Sequence, residues 1–262
     1  MKKFEQNTTD IVKDLKKLSI PAFVYPFVIK GYKYFGDNNR KLSILFHIFE
    51  VVVFRYTLIN SRAEIESRLS EILINFTGDL ADLREKIKNK FNEQYYWGDD
   101  RVLEYLSGAM CGNSVLNYLL WKYENSIQNA GYLVGDTTIV DEAIEHISPV
   151  TPTNGAPLAS GYDVNDRNEY DEEFKNKYLN CIGNLMLISK SHNSSIGNKP
   201  FVVKLDSYNN NPLLNQQAEI KKFTDDTSPA KGWKRSAIEK RHKAIVDDFA
   251  VRRWSFDNIN GN

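Results

Sequence analysis

Cysteine is scarce: Cys111 and Cys181 are the only 2 in a chain of 262 residues. That count excludes a disulfide framework and a Cys-only zinc site, and it suits a reducing compartment. Net charge is missing as well, with 34 Lys plus Arg balanced by 34 Asp plus Glu. A chain that coated nucleic acid over its whole surface would be basic, so any polyanion site has to be local. Long apolar runs are lacking. The most apolar stretch, residues 43–54, is too short to span a bilayer and carries His47 and Glu50, so it reads as a buried core helix. No stretch of signal-peptide length follows the opening Met-Lys-Lys-Phe, and a soluble, cytoplasmic protein with no membrane partner is expected. Gly-rich phosphate loops and internal repeats are absent too. What remains is ordinary globular composition, 42% hydrophobic and 26% charged, which excludes disorder and allows one large domain or two smaller ones.

Up to about residue 130 the chain reads as helices. Asn7-Thr8-Thr9-Asp10 caps a run with Ile11, Leu15 and Leu18 at helical spacing. Pro21 opens a helix over residues 23–35, and another covers 41–57. Ile65, Leu69, Ile72 and Leu73 share a face, Gly78 breaks the chain, and Leu80, Leu83, Ile87 and Phe91 resume the period. One or two further helices span 102–123. The character then changes. Residues 137–140, Thr-Thr-Ile-Val, favour a strand, and 150–170 are rich in Pro, Gly, Asn, Asp and Ser, as in a long loop. Residues 181–189 read as a short hairpin turning near Gly183-Asn184, a polar helix follows, and 229–254 read as one long final helix. The expected class is α+β.

Charge is segregated along this order. Acidic residues gather in the middle of the chain, and the last quarter is basic. For any single Lys a solvated helix face is the plain explanation. As a cluster, the basic residues read as a local phosphate-binding surface.

Of the 4 histidines, His47 falls in the apolar helix and His242 in a charged stretch, Lys-Arg-His-Lys. His146 differs: it lies in Ile-Glu145-His146-Ile-Ser-Pro149, on an expected strand that ends at Pro149. Strand neighbours point to opposite faces, so Glu145 and His146 meet one ion only if the backbone bulges or a carbonyl or water helps. Downstream, His192 and Asn193 each offer a lone pair to a hard cation, and Lys199 follows one or two turns later.

Glu-His-Ile-x-Pro, then Gly-Asn-Leu-x-Leu-Ile, then His-Asn-Ser-Ser-x-Gly-Asn-Lys resembles an HNH nuclease of the ββα-metal, or His-Me finger, group. The resemblance implies a strand carrying the acid–His pair, a turn Asn that stabilises the loop, and a helix that supplies a metal ligand. By position, His146 corresponds to the general base, Glu145 to the acidic residue before it, Asn184 to the loop Asn and Asn193 to the helix ligand, with His192 as the alternative ligand. Glu stands at 145 where Asp is commoner, and Asn at 193 where His is commoner; both keep an oxygen donor. The flanking cysteines that hold a structural zinc in many such proteins are replaced by Ser189 and His192, so no structural zinc is expected. The tail, Gly197-Asn-Lys-Pro-Phe201-x-x-Lys204, Tyr208, then Trp233, Ile238, Arg241 and Trp254, is similar to the C-terminal nuclease domain of GmrSD-type type IV restriction enzymes. That resemblance covers roughly residues 100–256. More weakly, Tyr25-Pro-Phe27 and Phe49-Glu-Val-Val-Val-Phe-Arg55 look like the helical connector before it.

The resulting expectation is a helical connector or scaffold over residues 1–95 and an HNH-like nuclease domain over 96–262, with a ββα-metal core embedded in helices. Its activity would be Mg²⁺- or Mn²⁺-dependent cleavage of DNA in restriction or antiviral defence. Here His146 activates water, Asn184 positions the loop, Glu145 and Asn193 hold the ion, and Lys199, Lys204 and Arg241 contact phosphate and stabilise charge, Lys199 in a catalytic role, with Lys234 and Arg235 as further nucleic-acid contacts; the alternative for Arg241 is packing against the Trp233 or Trp254 region of the last helix. The Asp-Gly-Gln-Gln-Arg signature of the nucleotide-using ParB-like domain of such enzymes is not found. That leaves open a separate subunit of that kind as a partner, and the oligomeric state. The rivals are a catalytically silent DNA-binding or regulatory subunit and an RNA-cleaving toxin.

Overall fold

A computed structural model describes residues 2–93, 95–128, 139, 141–151, 157–210, 212–225 and 231–259. Helices come first: α1 (Lys2–Glu5), α2 (Asp10–Lys17), α3 (Val24–Phe35), α4 (Asn39–Ile59), α5 (Ile65–Asn75), α6 (Leu80–Glu93), α7 (Asp99–Ser107) and α8 (Leu116–Ser126). The apolar period that forecast them is the face each buries. The run 43–54 is the middle of α4, which extends to 21 residues. At that length its mean hydropathy of 1.8 suffices to cross a membrane, but 72% of its most apolar window is buried, so it is a core helix despite being longer than expected. Asn38 caps its start by accepting the Lys41 N–H at 3.1 Å, and Asn60 ends it in the left-handed region at φ 46°.

Packing groups the chain into two units, Met1–Tyr105 with Val251–Asn262, and Leu106–Ala250. The sequence division falls at 95/96 and keeps the tail with the second part. In the first unit, α4 contributes Leu45, Phe49, Val52 and Phe54 to the core and also two buried charges. Glu50 accepts two bonds from Arg253 Nη2, at 2.6 and 2.8 Å. Arg55 donates to the carbonyls of Trp254 and Trp97 and to Asp99, and Phe54 stacks on Trp254 at 3.6 Å.

The second unit holds the sheet. Strands β1 (Glu142–His146) and β2 (Leu185–Ser189) pair antiparallel, with Glu142 opposite Ser189 and His146 opposite Leu185. The expected hairpin within 181–189 is therefore corrected: Ile182–Asn184 is a tight 3-10 turn, and the strand after it pairs with a segment far earlier in the chain. Leu185, Met186, Leu187 and Ile188 are all buried, because α8, α9 (Lys190–Ile196) and α11 (Asn215–Phe223) pack against β2. A strand covered on both sides reads as a continuous apolar run rather than an alternating one. Helix α10 (Phe201–Asn209) lies between α9 and α11, and α12 (Arg235–Ile245) packs on the 182–184 turn. The final helix starts at Arg235, later than expected, because Trp233 is held by a bridge to Tyr162; Pro229 lies outside the described residues. A π-helical turn, Val246–Ala250, carries α12 on into α13 (Val251–Arg253). The strand expected at 137–140 lies outside the described residues, apart from buried Ile139. The class is α+β, mostly helical.

Candidate active site

His146 closes β1, and its backbone geometry follows from the pleat. Glu145, one residue before, points into the core of the second unit, whereas His146 is half-buried and turned the other way. The Glu145 carboxylate accepts from Lys204 Nζ at 2.6 Å and from the Tyr208 hydroxyl at 2.8 Å. Lys204 spends its other two protons on the carbonyls of His146, at 3.1 Å, and Ile147, at 3.2 Å. All three side chains are buried, and burial lowers the Lys204 pKa against the pull of Glu145. Helix α10 supplies Lys204 and Tyr208 four residues apart, on one face.

Asn184 lies at the start of β2 and is fully buried. Its Oδ1 accepts from the Ser148 N–H at 2.8 Å and from the Trp233 indole at 3.0 Å. Its Nδ2 donates to the carbonyls of Leu179, at 2.8 Å, and Ser148, at 3.2 Å. Every donor and both acceptor positions of the amide are therefore used. The Ile147 N–H also donates to the Asn184 carbonyl, at 3.0 Å. The backbone leaving His146 is thus pinned from one side by Lys204 and from the other by Asn184. Gly183 permits this, since a Cβ there would meet the Ile238 carbonyl and come within 2.9 Å of the His242 Cβ.

The imidazole of His146 contacts Asn180, with Nε2 at 3.1 Å from Oδ1, and no bond to Nδ1 occurs among the described residues. Burial lowers its pKa, and the Asn180 bond and Glu145 oppose that only in part, so the ring is neutral near pH 7. A half-exposed, neutral imidazole with one bonded nitrogen is equipped to take a proton.

Several residues expected to act at the site are committed elsewhere. Glu145 is bound in the core pair with Lys204, so its role as a metal ligand is corrected to that of a buried ion-pair partner. His192 has both nitrogens engaged: Gln217, whose Oε1 accepts from the N–H groups of Leu213 and Leu214, turns its Nε2 to His192 Nδ1 at 3.0 Å. His192 Nε2 then donates to the Ser207 hydroxyl at 2.7 Å, leaving no lone pair for an ion. Lys204 and Arg241 are corrected from phosphate contacts to core residues. Arg241 donates to Glu219 at 3.2 Å and to the carbonyls of Gly183 and Leu185 at 3.1 and 2.6 Å. Arg235 is held by Asp163 and Asp171, which the acid-rich middle supplies, so it is no free phosphate contact either. Lys199, whose ammonium donates to the Ser195 carbonyl, and Lys234 are exposed. Asn193 is half-exposed, with no side-chain bond among the described residues.

A hard cation takes oxygen donors. Of the three ligands assigned by resemblance, His192 has both nitrogens engaged and Glu145 has Oε1 taken by Lys204 and Tyr208, and no group of three or more His, Cys, Asp or Glu among the described residues could hold a metal ion. The assigned residues therefore form no such cluster among the described residues. Sequence reasoning missed Asn180 and the Trp233–Asn184 bond. Asn180 in Tyr178-Leu-Asn180-Cys carries no local signal, Trp233 was marked only as a motif residue of the tail, and only folding brings the two to the site.

Residues 84–248 match the family model described as GmrSD restriction endonucleases, C-terminal domain. The comparison with curated proteins gave no match.

Proposed function

This chain belongs to the family of GmrSD restriction endonuclease C-terminal domains, and from that premise we propose that it is a DNA endonuclease whose general base is His146. A nuclease role comes with the family; the assignment to His146, the HNH-type arrangement of β1, the Asn184 turn, β2 and α9, and a place in antiviral restriction are the reading offered here. The observation that carries it is the four-bond amide of Asn184, which fastens the start of β2 to Ser148, two residues past His146. A loop locked this firmly holds the imidazole at one place, as a base positioned against an attacking water requires. His146 takes the water proton as the water attacks phosphorus, the bridging P–O bond opposite breaks, and the leaving sugar oxygen takes a proton from solvent. Lys199 and Lys234 are the exposed cations of the expected set and are assigned to the phosphate backbone.

The sequestration of Glu145 and His192 favours one second reading, a DNA-binding subunit without catalysis. Nicking of supercoiled plasmid separates the two, run with Mg²⁺ or Mn²⁺, with and without EDTA, and beside single-stranded RNA. Wild type should nick DNA, and His146→Ala should lower the rate by about 10²–10⁴-fold with binding retained. Equal rates for the two proteins would remove His146 from the mechanism, and no nicking by wild type under any metal condition would favour the silent subunit.

A further inference from the structure

We infer that Asn180 is the positioning residue of His146: its side-chain carbonyl fixes the ring as the Nε2–H tautomer and leaves Nδ1 as the basic nitrogen. This rests on the reading of His146 as general base and says which atom of it acts. An amide oxygen only accepts, so the ring nitrogen 3.1 Å from Asn180 Oδ1 must carry the proton. A neutral imidazole has one proton, so the lone pair is on Nδ1.

The Asn180 backbone is held independently of the ring that its side chain meets. The Asn180 carbonyl accepts from the N–H groups of Met110 and Cys111, at 2.8 and 3.3 Å. The residue after it, Cys181, forms an antiparallel bridge with Ala109. The residue before it, Leu179, gives its carbonyl to Asn184 Nδ2 at 2.8 Å. Asn184 in turn grips Ser148, so one connected set of bonds fixes the imidazole through its backbone and through its Nε2. An outer partner that sets tautomer and ring orientation is how histidines are made fit for one task. A role confined to closing the 179–184 turn would need the Asn180 backbone and would leave the ring protons indifferent to its side chain.

The test reads the ring directly. In ¹⁵N-labelled protein, above the ordinary imidazole pKa of 6.5, the wild-type His146 shifts should show a protonated Nε2 and an unprotonated Nδ1. Asn180→Leu removes the acceptor and should give a mixture of both tautomers; Asn180→Asp keeps an oxygen there and should restore the wild-type pattern. Asn180→Ala serves in place of the Leu variant if that one melts early. In nicking assays the Leu or Ala variant should lose about 10²-fold in kcat with KM unchanged, the scale expected for a misplaced reacting group, and the Asp variant should recover most of it. A wild-type ring protonated on Nδ1, or an unchanged tautomer and kcat in Asn180→Leu, would overturn the inference. A tautomer that shifts as expected while His146→Ala still nicks at the wild-type rate would support the positioning and sink the general-base reading alone.

Discussion

Lys204 shows why residue roles were the least legible part of the sequence. The spacing from Gly197 to Lys204 marks a motif, but it does not say whether the ammonium faces solvent or the core. Charged side chains are mostly exposed, and that expectation sent Lys204 and Arg241 to a DNA surface. The fold instead directs both inward, where each donates to backbone carbonyls of the β1 and β2 ends. Replacing Lys204 with Met leaves the Glu145 carboxylate buried and unpaired, and stability should fall by about 3–5 kcal/mol. Glu145→Gln combined with Lys204→Met should recover much of that loss in urea unfolding. A Lys204→Met protein as stable as wild type but with weaker, less salt-dependent DNA binding would return Lys204 to the DNA surface. For Lys199 and Lys234 the expectation is the reverse. Each Ala variant should keep its stability and reduce the slope of log affinity against log salt by about 0.9 on duplex DNA; unchanged slopes would move the contact surface elsewhere.

At the scale of elements, the helices of the first half were legible because amphipathic period and burial are the same fact seen twice. The strand 185–189 was legible as a strand for its apolar run, but its partner was not. A run buried on both faces has no alternation, so register cannot be read from it, and the nearest turn residues suggested a local hairpin. Gly183 was assigned to that hairpin's turn, whereas its use is a close approach of the 182–184 backbone to α12. Gly183→Ala should therefore push α12 away from the turn and cost roughly 1–3 kcal/mol by overpacking. It should also loosen the Asn184 amide, seen as faster hydrogen exchange at Ser148. An Ala variant with wild-type stability and exchange would mean that the turn accommodates a side chain without moving α12.

For the molecule as a whole, acid should be destabilising before the carboxylates titrate. His146, His192 and His242 all have pKa values lowered by burial. The unfolded chain takes up protons as pH drops through the ordinary value of 6.5, and the folded chain resists them, so stability is intact above that pH and declines below it. Urea midpoints should fall between about pH 7.5 and about pH 5.5, and His192→Gln and His242→Gln should each flatten that fall. A pH-independent midpoint over this range would contradict the buried, neutral state of these rings. The tail that closes the first unit has a different kind of consequence. Glu50 and Arg55 are buried on α4, and their partners Arg253 and Trp254 come from the segment that begins at Val251. On the ribosome α4 is made first, and those partners follow only after residues 106–250 have been added. At about 5–20 residues per second that wait is roughly 7–30 s. During it Arg55 has Trp97 and Asp99 within reach and Glu50 has His47, but neither has its partner from the tail. The unit that is synthesised first is thus the one that finishes folding last, and that interval is when the nascent chain is most exposed to chaperones and proteases.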